Sequence, residues 1–380
     1  MSSKASILAR DEALREILLA ERDGRVPMLD HADLHQTDLA GADLSGGDIR
    51  EADLSDANLS GAYLCGAYLR NANLSGANLS MANLSMAVMI GVNLVGAHLH
   101  AANLHHTDLR ATDLGGVDLS GADLKGAYLI EANLIGVDLQ RADLSGANLR
   151  GANLSNANLS GTDLSRANLR NAILSGANCE KAIFNEVILR SANMHKTNLS
   201  KANLMRANLS FAILSKAELT GAYLCEASLR GTNLVEANLS QANFCGASFN
   251  QAHVFKADLS MSDFIKVDFR KANLSRANLS GADFSRANFS GANLSDTNLN
   301  SAYLRNANCA GAILQRAQLL GTHLTNVSFA GADLQWIQAY PVDFAEVDKA
   351  SLSTVIIDML TAQQLGLVTQ ALDPFQNGSR

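Results

Sequence analysis

Ala52-Asp53-Leu54-Ser55, Ala57-Asn58-Leu59-Ser60, Ala72-Asn73-Leu74-Ser75 and Ala122-Asp123-Leu124 are samples of one pattern with a period of five. Every fifth position from Leu34 to Leu334 carries an apolar residue, without one slip of register. Leu dominates it, and Cys179 and Cys309 are two of its substitutes. Two positions earlier stands a small residue, usually Ala, sometimes Thr, Val, Ser or Gly. Between the two stands Asn or Asp, less often Tyr, His or Ile. Self-similarity at this scale decides the architecture before local propensity does.

A period of five excludes both regular elements. On an α-helix five residues drift by about 140°, so the Leu set would spiral with no buried stripe. On a straight strand an odd period sends successive Leu side chains to opposite faces. The chain must turn once per repeat, with Ala and Leu pointing inward from a short extended piece. Asn or Asp, the following Ser or Arg and the frequent Gly are left outside or at the corner.

The surface decoration sets the size of one turn. Nine Arg directly follow the apolar residue, at 50, 70, 110, 150, 170, 190, 230, 270 and 305. Eight of them differ by multiples of twenty, so four repeats make one turn. Phe244/Phe249, Phe264/Phe269 and Phe284/Phe289 recur at the same interval. They are expected to stack on two adjoining inner walls after a first two-thirds lined by Leu.

Ala-(Asp/Asn)-Leu-Ser-Gly, intact as Ala122-Asp123-Leu124 behind Ser120-Gly121, resembles the pentapeptide-repeat family over residues 30 to 345. The resemblance implies an all-β fold, a right-handed quadrilateral β-helix, in a family abundant in cyanobacteria, and a bacterial source is expected. Three segments are expected: an N-terminal helical cap and linker at 1–29, one solenoid at 30–345, and a C-terminal cap at 346–380. Three Pro occur, at 27, 341 and 374, and none falls inside the repeats, where amides are needed for pairing.

Ile7, Leu14, Ile17 and Leu18 among charges read as an amphipathic helix that Gly24 ends. At the other end Thr361-Ala-Gln-Gln364 reads as a capping box for a helix to about Leu372. Leu352, Val355, Ile356, Ile357 and Leu360 are expected to cover the last coil as a monomeric cap, or alternatively to make a homodimer contact. Pro374 to Arg380 is expected to fray.

Enzyme signatures are absent: no phosphate loop, HExxH or nucleophile elbow occurs. The formal charge of −7 is spread out, and no apolar run is long enough to span a membrane. Neither nucleic-acid nor membrane binding is expected. Five Cys lack metal or disulfide spacing, although Cys225 and Cys245 should stack on neighbouring coils. Reduced thiols and a cytoplasmic setting are expected. His98, His100, His105 and His106 form the densest His group, without the Cys or carboxylates that would argue for a metal. No cofactor is implied.

Arg50, Arg70, Arg110, Arg150, Arg170, Arg190, Arg230 and Arg270 should form a line along one face, with the first six as the candidate partner contacts. Each guanidinium either lies along the wall, on carbonyls, Asn or acids such as Glu51 and Asp108, or belongs to a docking strip. Ile90 and Ile130 interrupt the line beside Val88 and Tyr128, with Met81, Met86 and Val95 around adjoining corners. That mixture suits a protein interface. The first reading is therefore a non-catalytic, rod-like protein-binding scaffold or regulator. The second is suggested by relatives that mimic DNA and protect DNA gyrase, and by the acidic column Asp43, Asp123, Asp143, Asp163, Asp263 and Asp283. Those relatives often carry projecting loops and a dimerising C-terminal module. This chain has no loop insertion and carries Asn in many coils where a mimic needs Asp.

Overall fold

The fold is given by a computed structural model that describes residues 8–367. Two compact units make up the chain, Met1–Glu218 and Leu219–Arg380. In both, the middle residue of a repeat forms a parallel bridge with the residue twenty positions on. Asp33, Asp53, Asn73 and Asn93 are joined this way in the first unit, and Tyr223, Asn243, Asp263 and Asp283 in the second. Four repeats therefore complete one turn, as the spacing of Arg and Phe requires.

The β structure consists of isolated bridges among the described residues, not of strands running along the chain. A five-residue repeat spends two residues on its corner, leaving too few per face for a ladder. Pairing accumulates across coils instead. The corner residue, at positions ending in 1 or 6, has φ between 52° and 71° whether it is Gly or not.

The five amides of one repeat each find an acceptor. Leu54 donates to the Asn73 carbonyl at 2.7 Å and Asp56 to Ser75 at 2.8 Å, both in the next coil. Asn58 donates back to Thr37 at 2.9 Å, and Ala57 closes the turn onto Leu54 at 3.1 Å. Ser55 donates to a side chain, the Asp53 carboxylate two residues behind it, at 3.0 Å. That last bond is the physical reason for Asn or Asp at the middle position, since it occupies an amide that would otherwise lack a partner.

Inward Leu and Ala are fully buried from coil to coil, Leu124 and Ala122 among them. Where Thr replaces Ala, its hydroxyl donates to a Leu or Met carbonyl, within its own turn at Thr37 and Thr297 and in the preceding coil at several other positions. Thr162 reaches Leu139 at 2.7 Å and Thr197 reaches Leu174 at 2.8 Å. In the second unit Phe244, Phe264 and Phe284 stack on one wall, with ring centres 4.8 and 5.1 Å apart. On the adjoining wall Phe269 stacks on Phe289 at 5.0 Å, and Phe249 meets Phe269 at 4.8 Å with its ring tilted by 31°. The expected Leu lining of the earlier stretch is interrupted: Ile49, Met89, Cys179, Phe184 and Met194 are fully buried at inward positions of the first unit.

Helix α1 spans Arg10–Asp23 and ends at Gly24, whose φ is 62°. It buries Ala13, Ile17 and Ala20, whereas Leu18, expected on the apolar side, is 66% exposed. The buried stripe is narrow, two Ala and one Ile on one side of the helix. Leu8 bridges Ala32, and Arg10 donates to the His35 carbonyl at 2.6 Å. Glu16 grips the Arg25 guanidinium and accepts the Met28 amide at 3.0 Å. Ile7 and the 374–380 tail lie outside the described residues.

After Leu334 come a 3₁₀ turn, Pro341–Phe344, and two short helices, α2 (Lys349–Leu352) and α3 (Met359–Gln364). The N-cap of α3 is Asp358, not Thr361. Thr361 donates its amide and hydroxyl to that carboxylate at 2.9 and 2.6 Å, and the Trp336 amide adds a bond at 2.6 Å. Desolvation pushes the Asp358 carboxyl up, but these donors, Thr361 foremost, outweigh it and hold it down at about 2. Helix α3 stops at Gln364, before the expected Leu372, which is outside the described residues. The buried apolar residues from Phe344 to Leu367 are Phe344, Val347, Ala362 and Leu365. Ile356 and Leu360, expected to be covering residues, are exposed. Ile356 takes a bridging position opposite Asp333, which points its side chain outward.

Candidate functional site

The candidate face lies in the first unit. Its backbone is the column Asp48, Tyr68, Val88, Asp108, Tyr128, Asn148, Asn168 and Ile188, each bridged to the next. Two residues further along each repeat comes the corner that carries Arg50, Arg70, Ile90, Arg110, Ile130, Arg150, Arg170 and Arg190. The six Arg are exposed and the two Ile half-buried. In-register stacking makes one line of them, with neighbours about 4.8 Å apart.

That line is not chemically uniform. Arg50 forks the Asp48 carboxylate at 2.7 and 2.6 Å, and Arg110 forks Asp108 at 2.8 and 2.6 Å. Hydrogen bonds from these guanidinium groups hold both carboxyls below their usual range. Asp108 is thus the partner expected for an Arg lying along the wall. Glu51 is not the acceptor of Arg50; it faces His31 at 3.4 Å. The residue two places earlier decides the outcome. Arg70 follows Tyr68, and Arg150 and Arg170 follow Asn148 and Asn168, whose carboxamide oxygens accept only their backbone amides. Among the described residues, Arg70, Arg150 and Arg170 have no carboxylate partner. The Arg190 guanidinium stands 5.6 Å from the centre of the Phe211 ring.

Apolar side chains share the face. Tyr68 and Tyr128 are about half exposed, and Met86 precedes Val88 at the near corner. Met81 sits one face earlier and Val95 one face later, both exposed. A second exposed group went unnoticed in the sequence: Ile173, Ile188, Met205, Phe211 and Ile213. Its signal was present, since Ile replaces Asn or Asp at three middle positions and Phe stands at a corner with φ of 62°. A bulky residue there is strained by about 1–2 kcal/mol.

The acidic column is partly absorbed by the fold. Asp123, Asp143 and Asp163 are bridged in succession, and one oxygen of each accepts the amide two residues on, at 3.0, 2.8 and 2.8 Å. Of the four clustered His, His100 contacts the Ser120 hydroxyl at 2.9 Å and the His105 and His106 rings meet edge to face. No group of His, Cys, Asp or Glu among the described residues is arranged to hold a metal ion. No described helix is long and apolar enough to cross a membrane.

None of the curated proteins matches. The solved structure of HetL, a pentapeptide repeat protein involved in heterocyst differentiation regulation in the cyanobacterium Nostoc sp. strain PCC 7120, is 35% identical. The match covers 56% of this chain and 88% of HetL, with a TM-score of 0.30. Full-length QnrB1, a plasmid-mediated fluoroquinolone resistance protein, is 19% identical over 62% of this chain and 95% of its own, with a TM-score of 0.32. A pentapeptide repeat protein of the Arabidopsis thaliana thylakoid lumen is 31% identical over 26% of this chain and 63% of its own, with a TM-score of 0.12. The pattern described for pentapeptide repeats matches in successive stretches, some overlapping, from 28–56 to 302–337, most of the sequence. With its unbroken five-residue register and four-repeat coils, the chain belongs to the pentapeptide repeat family.

Proposed function

We propose that this chain is a non-catalytic protein-binding scaffold or regulator, and that its docking face carries Arg70, Val88, Ile90, Tyr128, Ile130, Arg150 and Arg170. The repeats of each unit are read as right-handed quadrilateral β-helix, with α1 and the segment after Leu334 as helical caps. The cytoplasm is the proposed setting. The observation that carries the reading is the chemistry of the corner line. Three guanidinium groups without carboxylate partners share it with Tyr and aliphatic side chains, on a skin otherwise built of Ser, Asn and Gly. Arg and Tyr beside buried aliphatics are the usual energetic centre of a protein interface. The partner that fits is a protein segment presenting carboxylates beside apolar side chains.

Arg50 and Arg110 are already neutralised, so the test separates them from the rest. Arg70→Glu with Arg150→Glu should abolish capture of native partners, while Arg50→Ala leaves it intact. If the double variant captures the same partners as the parent, the face is only decoration.

A second reading, a DNA mimic acting on gyrase, draws support from the run Asp123, Asp143, Asp163. It is weakened because each carboxylate gives one oxygen to its own turn. A supercoiling assay with and without a quinolone decides it: protection or inhibition at micromolar protein supports the mimic, no effect removes it. Self-association through the C-terminal segment is also proposed, because Trp336, Tyr340, Ile356, Met359 and Leu360 are exposed there. A mass of one chain, 40.2 kDa, at every concentration in light scattering would remove that part.

A further inference from the structure

Cys225 and Cys245 occupy the same outward position in neighbouring coils of the second unit, twenty residues apart. The backbone holds them in register. Leu224 donates to the Asn243 carbonyl at 2.7 Å, and Glu226 to the Cys245 carbonyl at 2.9 Å, so the bonds bracket the pair on both sides. Both thiols are free and half-buried. The Cys225 thiol donates to the Asn243 side-chain oxygen at 3.1 Å, the same oxygen that accepts the Cys245 amide at 3.0 Å. The first thiol is thus already turned toward the turn that bears the second. Burial is the main influence raising the Cys225 thiol, and the neighbouring Cys245 adds to it.

We propose that Cys225 and Cys245 are a reversible disulfide pair that staples two coils when the thiol pool is oxidised. Parallel in-register neighbours keep their Cα atoms about 4.8 Å apart, inside the range of about 4.4–6.8 Å that a disulfide needs. Their Cα–Cβ bonds run side by side instead of converging, so the Cβ atoms also stay about 4.8 Å apart, just beyond the usual limit of about 4.5 Å. Such a bond is strained and correspondingly easy to reduce. The other cysteines do not compete. Cys179 and Cys309 are fully buried, with desolvation pushing both thiols up, Cys309 to about 12. Cys65 faces the Ser85 hydroxyl at 3.3 Å in the next coil, where this pair has its second sulfur.

The oxidant is a small-molecule disulfide of the glutathione class. The Cys225 thiolate attacks one of its sulfurs, breaking that disulfide and releasing one glutathione thiolate. The Cys245 thiolate then attacks the Cys225 sulfur of the mixed disulfide and expels the second glutathione. Two protein thiols lose two protons and two electrons, and one glutathione disulfide becomes two glutathiones.

The experiment treats the native full-length protein with oxidised glutathione, quenches it with an alkylating agent, digests it with trypsin and reads the peptides by mass spectrometry without reduction. Cleavage after Arg230 puts Cys225 in peptide 217–230 and Cys245 in peptide 231–256. The expected product is these two peptides joined, lighter by two hydrogens than their sum, and released by dithiothreitol without denaturant. Cys225→Ser should instead leave a stable glutathione adduct on Cys245, and Cys245→Ser one on Cys225. Ser is common at this outward position, so both variants are expected to fold. Separate glutathione adducts on both cysteines of the parent, or alkylation of both after oxidation, would overturn the proposal.

Discussion

Asp53 accepts the amide of Ser55 at 3.0 Å and its hydroxyl at 2.6 Å, and both residues belong to the same repeat. This bond explains a preference that hydrophobic periodicity leaves open. The middle residue faces outward, where any polar side chain would be soluble, yet Asn and Asp prevail because only a short carboxamide or carboxylate reaches the next amide but one.

The same bond should be measurable at Asn153, which accepts the Ser155 amide at 3.1 Å and hydroxyl at 2.6 Å. Asn153→Ala should cost about 1–3 kcal/mol, the usual penalty for leaving a donor unpaired. Asn153→Asp should restore most of it. Urea unfolding gives the size of the loss, and faster hydrogen exchange at the Ser155 amide gives its location. A neutral Ala variant would contradict this role.

Phe264 lies between Phe244 and Phe284, at 4.8 and 5.1 Å, with no solvent exposure. Phe264→Ala should open a cavity costing about 3–5 kcal/mol. In the first unit Leu124→Asp should be worse, spreading to adjoining coils because each coil stabilises its neighbours. Calorimetry should show the first as a lowered melting temperature and the second as loss of the cooperative transition.

Met86 is exposed at a corner where φ is 60°. An ordinary apolar-to-Gly exchange in a regular element destabilises by about 0.5–1 kcal/mol. Here the sign should reverse, since Gly removes a left-handed strain of about 1–2 kcal/mol. Met86→Gly is expected to raise the unfolding midpoint slightly; a lowered midpoint would mean that the side chain is packed.

The C-terminal segment should have an acid limit. Asp358 is held at about 2 when folded, against about 3.9 in an unfolded chain. A depressed carboxyl contributes stability that is complete above the unfolded value and lost as pH falls through the folded one. Protection of the Thr361 and Trp336 amides should therefore fall between about pH 4 and pH 2. Asp358→Asn should make that protection independent of pH in the same window.

How much of this was legible beforehand follows from where the repeat holds. Inward Leu, Ala and Phe, the outward Asn and Asp, and the coil of four repeats could all be read from spacing, because in-register stacking turns a sequence interval of twenty into a column. The division of the Arg line was legible too, though it was not read. Asp48-Ile49-Arg50 and Asp108-Leu109-Arg110 carry their own counter-ion, whereas Tyr68-Leu69-Arg70 and Asn148-Leu149-Arg150 do not.

Tertiary structure alone decided the rest. The meeting of Arg190 with Phe211 depends on two corner side chains leaning toward each other across coils, and a register assigns columns without assigning rotamers. The ends of the chain depend on it most. Trp336, Asp358 and Thr361 converge through bonds of 2.6 and 2.9 Å, although no repeat relates them. The sequence determined everything that recurs, because each coil reuses the solution of the one before it. Where recurrence stops after Leu334, every partner is found once, and only three-dimensional proximity selects it.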